Sequence, residues 1–353
     1  MTDTKTFLHD PRRRNLAVLA AIAVVSVILA VLALAHQAAE TSGQSQQELL
    51  FPRLTDRIRQ ITRIHIDSRQ YGAFDMVFNP QKGWVIPQHA NYRAAFEQMR
   101  STVVGLTNLE TIAAKTARPQ WYGYIGVDAP PKGSGTLIQL LDEKNNVLAA
   151  LIMGKTTDIG DPGGAVGLYV RKPGEAQSWL ARSVFTPTAN PADWLDKNTV
   201  DVDRSRIAEA DVVPVSGPAF TINRDSPSTP DFTIANMPKG REEMYPGAAD
   251  AVATAITGFA FDDVKAASGF DFSAAPRFVT KTFDGLTVTV QVLPENQGFW
   301  ATVYATGSNP QSDREARAID AHTDGWAYKL PSYKAQLFMT TLDSLLKPLA
   351  AKK

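Results

Sequence analysis

The sequence predicts an α+β protein, with an N-terminal transmembrane helix followed by two duplicated α+β modules. Each module is expected to contain an antiparallel strand meander, a helix and a second meander. Three observations predict this fold class. An uncharged apolar run lies near the N-terminus; after it, strand-like alternation and helix-like spacing follow one another; and the second half of the chain repeats the order of the first.

The apolar run extends from Asn15 to Ala35, where Asn15 and Ser26 are the only polar side chains. A helix of this length is about 31 Å long, which matches the hydrocarbon core of a bilayer. The basic residues that come directly before it mark the cytoplasmic side; they are Arg12, Arg13 and Arg14. The run therefore predicts a single-pass protein of the bacterial inner membrane, with a cytoplasmic N-terminus and a periplasmic or extracellular C-terminal domain.

A cleaved signal peptide is the alternative interpretation of this run. Ala33-Leu34-Ala35 resembles a cleavage site, but the apolar region of a signal peptide is usually shorter, at about 7–15 residues. Both interpretations export the same domain.

Composition and spacing divide the chain into seven predicted segments. They are a cytoplasmic tail (1–14), a transmembrane helix (15–37), a tether (38–48), a first α+β module (49–186), a linker (187–203), a second α+β module (204–311) and a C-terminal helical segment (312–353).

The first module begins with three strand-like stretches, Ile64–Ile66, Ala73–Phe78 and Trp84–Ile86. From Asn91 to about Leu106 the apolar residues are three and four positions apart, which predicts an amphipathic helix. A hairpin after Gly135 and further short strands predict the second meander.

The second module repeats this order, with a predicted helix over Tyr245–Ile256. Its clearest hairpin joins Arg277–Phe283 to Leu286–Leu293, and the intervening Asp284-Gly285 favours a type I′ turn. In the last segment, the spacing predicts an amphipathic helix over Lys334–Leu346.

Composition excludes several classes of function. The chain has no cysteine, so disulfides, thiolate catalysis and Cys-ligated metals are excluded. Lys plus Arg equals Asp plus Glu, at 36 each, so no general basic excess indicates nucleic acid as a partner.

No motif indicates catalysis, a cofactor or a metal. Gly154-Lys155-Thr156 lacks the upstream glycine of a phosphate-binding loop, since position 149 is alanine. The Asp158–Gly164 stretch lacks the order of a calcium loop, and the histidines have no ligand spacing. Two carboxylate pairs, Asp201/Asp203 and Asp262/Asp263, are expected in solvated turns or helix caps.

The tryptophans are the remaining candidates for ligand contact, since they can line carbohydrate or peptide sites. Trp84, Trp179 and Trp300 lie within strand patterns and are expected in the core. Trp121 and Trp194 lie in predicted loops, so they are the possible exposed contact residues.

The chain resembles a bacterial family known as domain-of-unknown-function family 4340. The resemblance is carried by the strands above and by the stretches Tyr124–Pro130, Gly167–Gly174 and Trp194–Lys197. Tyr124-Ile125-Gly126-Val127-Asp128 departs from the more usual Tyr-Gly-Leu-Asp spelling. The resemblance implies an N-terminally anchored envelope protein, in some members encoded beside gliding-type ABC-transporter components, with no catalytic residues assigned.

The functional expectation is a non-enzymatic inner-membrane protein, an accessory or scaffold of an envelope or ABC-transporter-associated complex. Its expected partners are the lipid bilayer and a membrane or envelope protein. The alternative is an envelope glycan-binding protein or hydrolase whose acidic residues meet only in the fold. Two carboxyl groups about 5–10 Å apart beside an exposed tryptophan would favour that alternative.

Overall fold

The computed structural model describes residues 26–31, 48–185, 188–295 and 298–348. Within these residues it contains two large antiparallel sheets, of nine and eight strands. The strands are β1 Arg63–Ser68, β2 Gly72–Asn79, β3 Gly83–Ile86, β4 Tyr92–Arg93, β5 Glu110–Ala114, β6 Thr136–Leu141, β7 Val147–Thr157, β8 Val166–Arg171, β9 Ser178–Ser183, β10 Ile207–Val213, β11 Phe220–Asn223, β12 Thr233–Ile234, β13 Asp263–Ala266, β14 Arg277–Thr282, β15 Leu286–Glu295, β16 Gly298–Gly307 and β17 Trp326–Leu330.

Helices are short and fewer than the strands in the described residues. They are α1 (residues 26–31), α2 Phe96–Thr107, α3 Tyr122–Ile125, α4 Ala248–Ala253, α5 Pro310–Thr323, α6 Ser332–Phe338 and α7 Leu342–Leu345. Six 3₁₀ turns accompany them, at Thr55–Gln60, Pro87–His89, Pro119–Trp121, Pro191–Trp194, Arg204–Arg206 and Ala267–Gly269.

Strand pairing joins the predicted meanders into continuous sheets. The first sheet has the order β4-β3-β2-β1-β6-β7-β8-β9-β5, and the second has the order β12-β11-β10-β14-β15-β16-β17-β13. In the second sheet, β10 pairs with β11 on one side and with β14 on the other. Strand β13, which follows α4, closes the far end by pairing with β17.

The predicted fold class, a transmembrane helix followed by two duplicated α+β modules, is therefore wrong. The described chain is strand-rich, and strands before and after the helix share one sheet instead of forming separate meanders. The physical reason is that each strand has unpaired N–H and C=O groups along both edges, and these groups need partners. Periodicity identifies the strands but not the edges that meet.

The helices are also shorter than the sequence predicts. Tyr92 and Arg93 form strand β4, and helix α2 begins only at Phe96. Helix α4 covers half of the predicted Tyr245–Ile256 stretch, and β17 interrupts the C-terminal segment predicted as helical. Strand β4 pairs with β3, and strand β17 pairs with β13 and β16. These partners satisfy the backbone N–H and C=O groups that a helix would have satisfied internally.

The membrane anchor predicted over 15–37 is not supported. Only its residues 26–31 are described, and they are helical. Among the described residues, no helix combines the length and apolar character needed to cross a membrane. The transmembrane assignment and the inner-membrane localisation derived from it are therefore corrected. Arg12, Arg13 and Arg14 lie outside the described residues.

The described residues divide into two units. Unit 1 draws them from Met1–Arg59, Val103–Ile138 and Ala149–Pro187; unit 2 draws them from Gln60–Thr102, Gln139–Leu148 and Thr188–Lys353. Unit 2 thus contains residues 60–102, which the sequence assigns to the first module.

The core of unit 2 follows the alternation seen in the sequence. Along β15, Leu286, Val288, Val290 and Val292 are at most 1% exposed. Helix α5 packs on β15 and β16, and α6 also contacts these strands. On α6, Phe338 packs against Phe278 of β14, with ring centroids 5.1 Å apart.

The hairpin between β14 and β15 has a different turn from the predicted type I′. A type I′ turn needs positive φ at both central residues. Gly285 has φ of 93°, but Asp284 is not left-handed. Three residues connect the strands, and the N–H of Gly285 donates to the carbonyl of Thr282. This is the arrangement of a longer loop that ends in a left-handed glycine.

Candidate functional site

A short helical segment in unit 1 carries the two most exposed aromatic side chains among that unit's described residues. The 3₁₀ turn Pro119–Trp121 continues directly into α3, and Gly126 ends the helix with φ of 72°. Glycine suits this position because a left-handed conformation is unfavourable for residues with a Cβ.

Tyr122 fixes the segment to the body of unit 1. Its side chain is buried beside Val127 and Ile152. Its hydroxyl donates to the carbonyl of Ala176 over 2.5 Å, and the Arg171 guanidinium lies 4.5 Å from its ring centroid. The residues on either side of Tyr122 are therefore presented from a well-anchored base.

Trp121 and Tyr124 face outwards from this base. Trp121 is 49% exposed and Tyr124 is 71% exposed. Their ring centroids are 5.4 Å apart with an interplanar angle of 37°. Large exposed aromatic side chains are common anchors at interfaces, because they bury much area at a low entropic cost.

Two cations lie beside the rings. Lys115 and Arg118 line the same shallow depression of about 430 Å³ as Trp121 and Tyr124. We name these four residues the aromatic–basic surface. Within the described residues, neither cation has an acidic partner, so both charges remain available to a ligand.

Backbone contacts hold the cations in place. The N–H of Lys115 donates to the carbonyl of Ser178, and the N–H of Arg118 donates to Oγ1 of Thr116. The Ser178 hydroxyl in turn donates to the carbonyl of Thr116 over 2.7 Å. The turn after β5 is therefore joined to Ser178 of β9 at Lys115 and at Thr116.

Trp194, the other predicted exposed residue, is buried. Its side chain is only 1% exposed, so the expectation of exposure is wrong. It ends a 3₁₀ turn capped by Asn190, and its carbonyl accepts the N–H of Ala95. Residues assigned to a linker thus pack into the core, because their neighbour Leu195 forms a β-bridge with Ala94.

The remaining motifs have structural roles. Gly154-Lys155-Thr156 lies within strand β7, so its backbone belongs to a sheet. Asp158 and Asp161 accept the amides of Gly160 and Gly163 in the β7–β8 connection. Asp203 caps the turn at Arg204–Arg206, as expected for that carboxylate pair. Among the described residues, no group of His, Asp or Glu is placed to hold a metal ion.

Among the side chains of unit 2 with shifted pKa values are Lys197, Tyr92 and Tyr328. Burial lowers the pKa of Lys197 and raises those of Tyr92 and Tyr328. The Lys197 amine donates to the carbonyl of Phe261 over 2.5 Å and lies 4.0 Å from that ring's centroid. Such shifts can indicate a functional site, but here the Lys197 amine already binds the Phe261 carbonyl within the fold.

Sequence reasoning singled out Trp121 but did not select Tyr124, Lys115 or Arg118 as site residues. The available signal was their density, because the ten residues from Lys115 to Tyr124 carry two cations and three aromatic rings around Pro119. Without the position of α3, the sequence could not show which of these side chains face solvent.

Comparison with curated proteins and with solved structures returns no match. A family model matches residues 84–273, more than half of the chain, and this range includes the whole aromatic–basic surface. The expected resemblance is thereby confirmed, and the chain belongs to the family described as Domain of unknown function (DUF4340).

Proposed function

We propose that this chain is a non-enzymatic accessory protein that binds a partner protein through the aromatic–basic surface. The observation that carries the proposal is the exposure of Trp121 and Tyr124 on a segment anchored by buried Tyr122. An ordered, solvent-facing ring pair loses little side-chain freedom when a partner covers it.

The charges beside the rings specify the partner's chemistry. Lys115 and Arg118 favour a segment rich in Asp and Glu, because complementary charge speeds association and selects the partner. The rings favour an apolar or proline side chain within that segment. A component of an ABC-transporter-associated complex, which the family resemblance implies, is the first candidate.

The alternative function needs two carboxyl groups beside an exposed tryptophan. The charged residues that line the depression beside Trp121 are Lys115 and Arg118, which are cations. This surface therefore offers no support for a hydrolase, since acid–base cleavage of a glycoside uses a carboxyl pair.

Site-specific photo-cross-linking tests the proposal. Tyr124 is replaced by p-benzoylphenylalanine in the full-length chain, which is irradiated in its native cells, and the cross-linked peptide is sequenced. The matched control carries the same replacement at Tyr333, which is 62% exposed on α6.

The expected result is a cross-link specific to position 124 whose partner peptide contains Asp or Glu beside an apolar side chain. Trp121→Ala in the same chain should remove it. A product common to both positions, or a position-124 partner peptide without acidic residues, contradicts the proposal.

A further inference from the structure

A second recess, in unit 2, has different chemistry from the aromatic–basic surface. It is a groove of about 750 Å³ between the C-terminal half of α5 and strand β16, bordered by the start of β17. We call it the α5–β16 groove. Apart from Ala267, its lining residues follow position 273, so they lie outside the range matched by the family model.

The walls of this groove are firmly positioned. Helix α5 begins with a capping box formed by Asn309 and Ser312, which satisfies amides of its first turn. Near its other end, Oδ1 of Asp320 accepts the N–H of Ala305 on β16 over 2.8 Å. The helix and the strand are thus connected directly beside the groove.

Two aromatic residues line the groove. Tyr304 of β16 is 41% exposed. Trp326, at the start of β17, is half-buried, and Tyr92 packs edge to face with it at a centroid distance of 5.0 Å. Because Tyr92 holds the indole from one side, the Trp326 ring has a defined orientation at the groove.

Polar groups of both kinds surround these rings. Asp320 and Asp324 are one helical turn apart at the end of α5, so their Cβ atoms lie about 5–6 Å apart. One Asp320 oxygen is used by Ala305, whereas in the described chain the exposed Asp324 carboxylate has no hydrogen-bond partner. Arg317 contacts Asp313 through Nη1 at 2.8 Å, which leaves further guanidinium N–H groups as donors.

We propose that the α5–β16 groove binds a neutral oligosaccharide. A sugar ring presents an apolar C–H face that packs on Tyr304 or Trp326. Its hydroxyl groups both donate and accept hydrogen bonds, which matches carboxylate acceptors next to a guanidinium donor. An anionic ligand would be repelled by Asp320 and Asp324, whose two charges outnumber that of Arg317.

The groove brings a carboxyl pair next to Tyr304 and a half-buried Trp326, whereas the glycan-binding alternative asked for an exposed tryptophan. The groove supports binding alone, because Asp320 is engaged in holding α5 to β16. No bond-breaking step is assigned to it.

Saturation-transfer NMR on the full-length chain tests this inference, with cellotriose, maltotriose and chitotriose as probes. At least one trisaccharide is expected to bind with a dissociation constant below about 10 mM, with the strongest transfer to ring C–H protons. Tyr304→Ala and Asp324→Asn should each weaken binding about tenfold, since one removes a stacking surface and the other a charged acceptor.

Tyr333→Ala is the matched control, because Tyr333 is an exposed tyrosine that does not line the groove. Urea denaturation verifies that each variant is folded. If Tyr304→Ala does not fold, Asp324→Asn alone tests the groove. The inference is overturned if none of the three trisaccharides binds. It is also overturned if the groove variants bind as tightly as Tyr333→Ala. The photo-cross-linking result at Tyr124 is independent of both outcomes.

Discussion

Arg93 donates a hydrogen bond from Nη1 to Nε2 of His322 over 3.3 Å, although the two residues are 229 positions apart in the chain. The other ring nitrogen, Nδ1, lies 3.1 Å from the carbonyl oxygen of Asn198. Since a carbonyl only accepts, these partners assign the proton to Nδ1 and leave Nε2 as the acceptor in a neutral ring. The imidazole thus joins strand β4 to the residues after Trp194 and to helix α5.

We expect this contact to contribute to stability as a coupled pair. In a double-mutant cycle of Arg93→Met and His322→Phe, the coupling in the free energy of unfolding should be roughly 0.5–1.5 kcal/mol by urea denaturation. The exposed pair Arg100 and Glu97 is the control, with an expected coupling below about 0.5 kcal/mol. Equal coupling free energies in both cycles would show that the Arg93–His322 contact stabilises the fold no more than an exposed ion pair does.

The two tryptophans from predicted loops should behave oppositely. Trp194→Ala removes a side chain that is 1% exposed, and it should lower the free energy of unfolding by about 3–5 kcal/mol. Trp121→Ala removes one that is 49% exposed, and it should change that free energy by no more than about 0.5 kcal/mol. Urea denaturation of both variants measures the contrast, and similar losses would contradict the assigned burial.

Reversing the charges of the aromatic–basic surface should weaken partner binding without unfolding the protein. Lys115→Glu with Arg118→Glu is expected to reduce the Tyr124 cross-link strongly, and added salt should reduce it in the wild type as well. Lys132→Glu, at an exposed lysine of the same unit, is the control. A cross-link that is insensitive to both charge and salt would argue against an acidic partner.

Acid should weaken the contact between His89 and Asp263, whose Nδ1 and Oδ1 atoms are 3.0 Å apart. Burial alone would raise the pKa of Asp263, but hydrogen bonds from His89 and from the N–H of Val264 lower it overall, below the usual 3.8. Because the folded state holds this carboxylate ionised, its contribution to stability is present above about pH 4 and is lost as the pH falls through the lowered value.

Asp263→Asn should therefore lower stability at neutral pH and make the free energy of unfolding less dependent on pH below about 4. Asp343→Asn, at a side chain that is 83% exposed, is the control. Urea denaturation across that pH range measures both slopes, and identical slopes would contradict the prediction.

Lys334 should contribute to stability through hydrogen bonds, although burial lowers its pKa. Its amine donates to the carbonyls of Ala255 (2.9 Å) and Thr257 (2.7 Å), just after helix α4. Lys334→Met leaves both acceptors without this donor, so we expect a loss of about 1–3 kcal/mol in urea denaturation. Lys347→Met, at an exposed ion pair with Glu242, should lower the free energy of unfolding less than Lys334→Met does.

Local patterns in the sequence predicted much of the strand content. The alternation of Leu286, Val288, Val290 and Val292 identified β15 and its buried face, because side chains on a strand alternate between two environments. The cap at Asp203 and the family membership were also predictable, since each depends on a short stretch of chain. For the same reason, the strand that contains Gly154 was predictable.

Long-range contacts were not predictable in this way. Tyr92 reads as the start of a helix, yet it lies in β4, and its ring packs against Trp326. Trp194 was predicted as a loop residue, yet its side chain is buried and its carbonyl accepts the N–H of Ala95. Neither residue's sequence neighbours carry information about those contacts, because the partners come from other parts of the chain.

The sequence by itself thus determined many of the stretches that become strands, although not β4 or β17, and where two cations and three aromatic rings concentrate around Pro119. Only the tertiary structure decided that the strands of each half share one sheet, that Trp121 faces solvent while Trp194 does not, and that Asp324 lines the same groove as Trp326. The physical reason is that periodicity records the local alternation of buried and exposed positions, whereas strand partners and groove walls depend on which distant backbone edges and side chains meet.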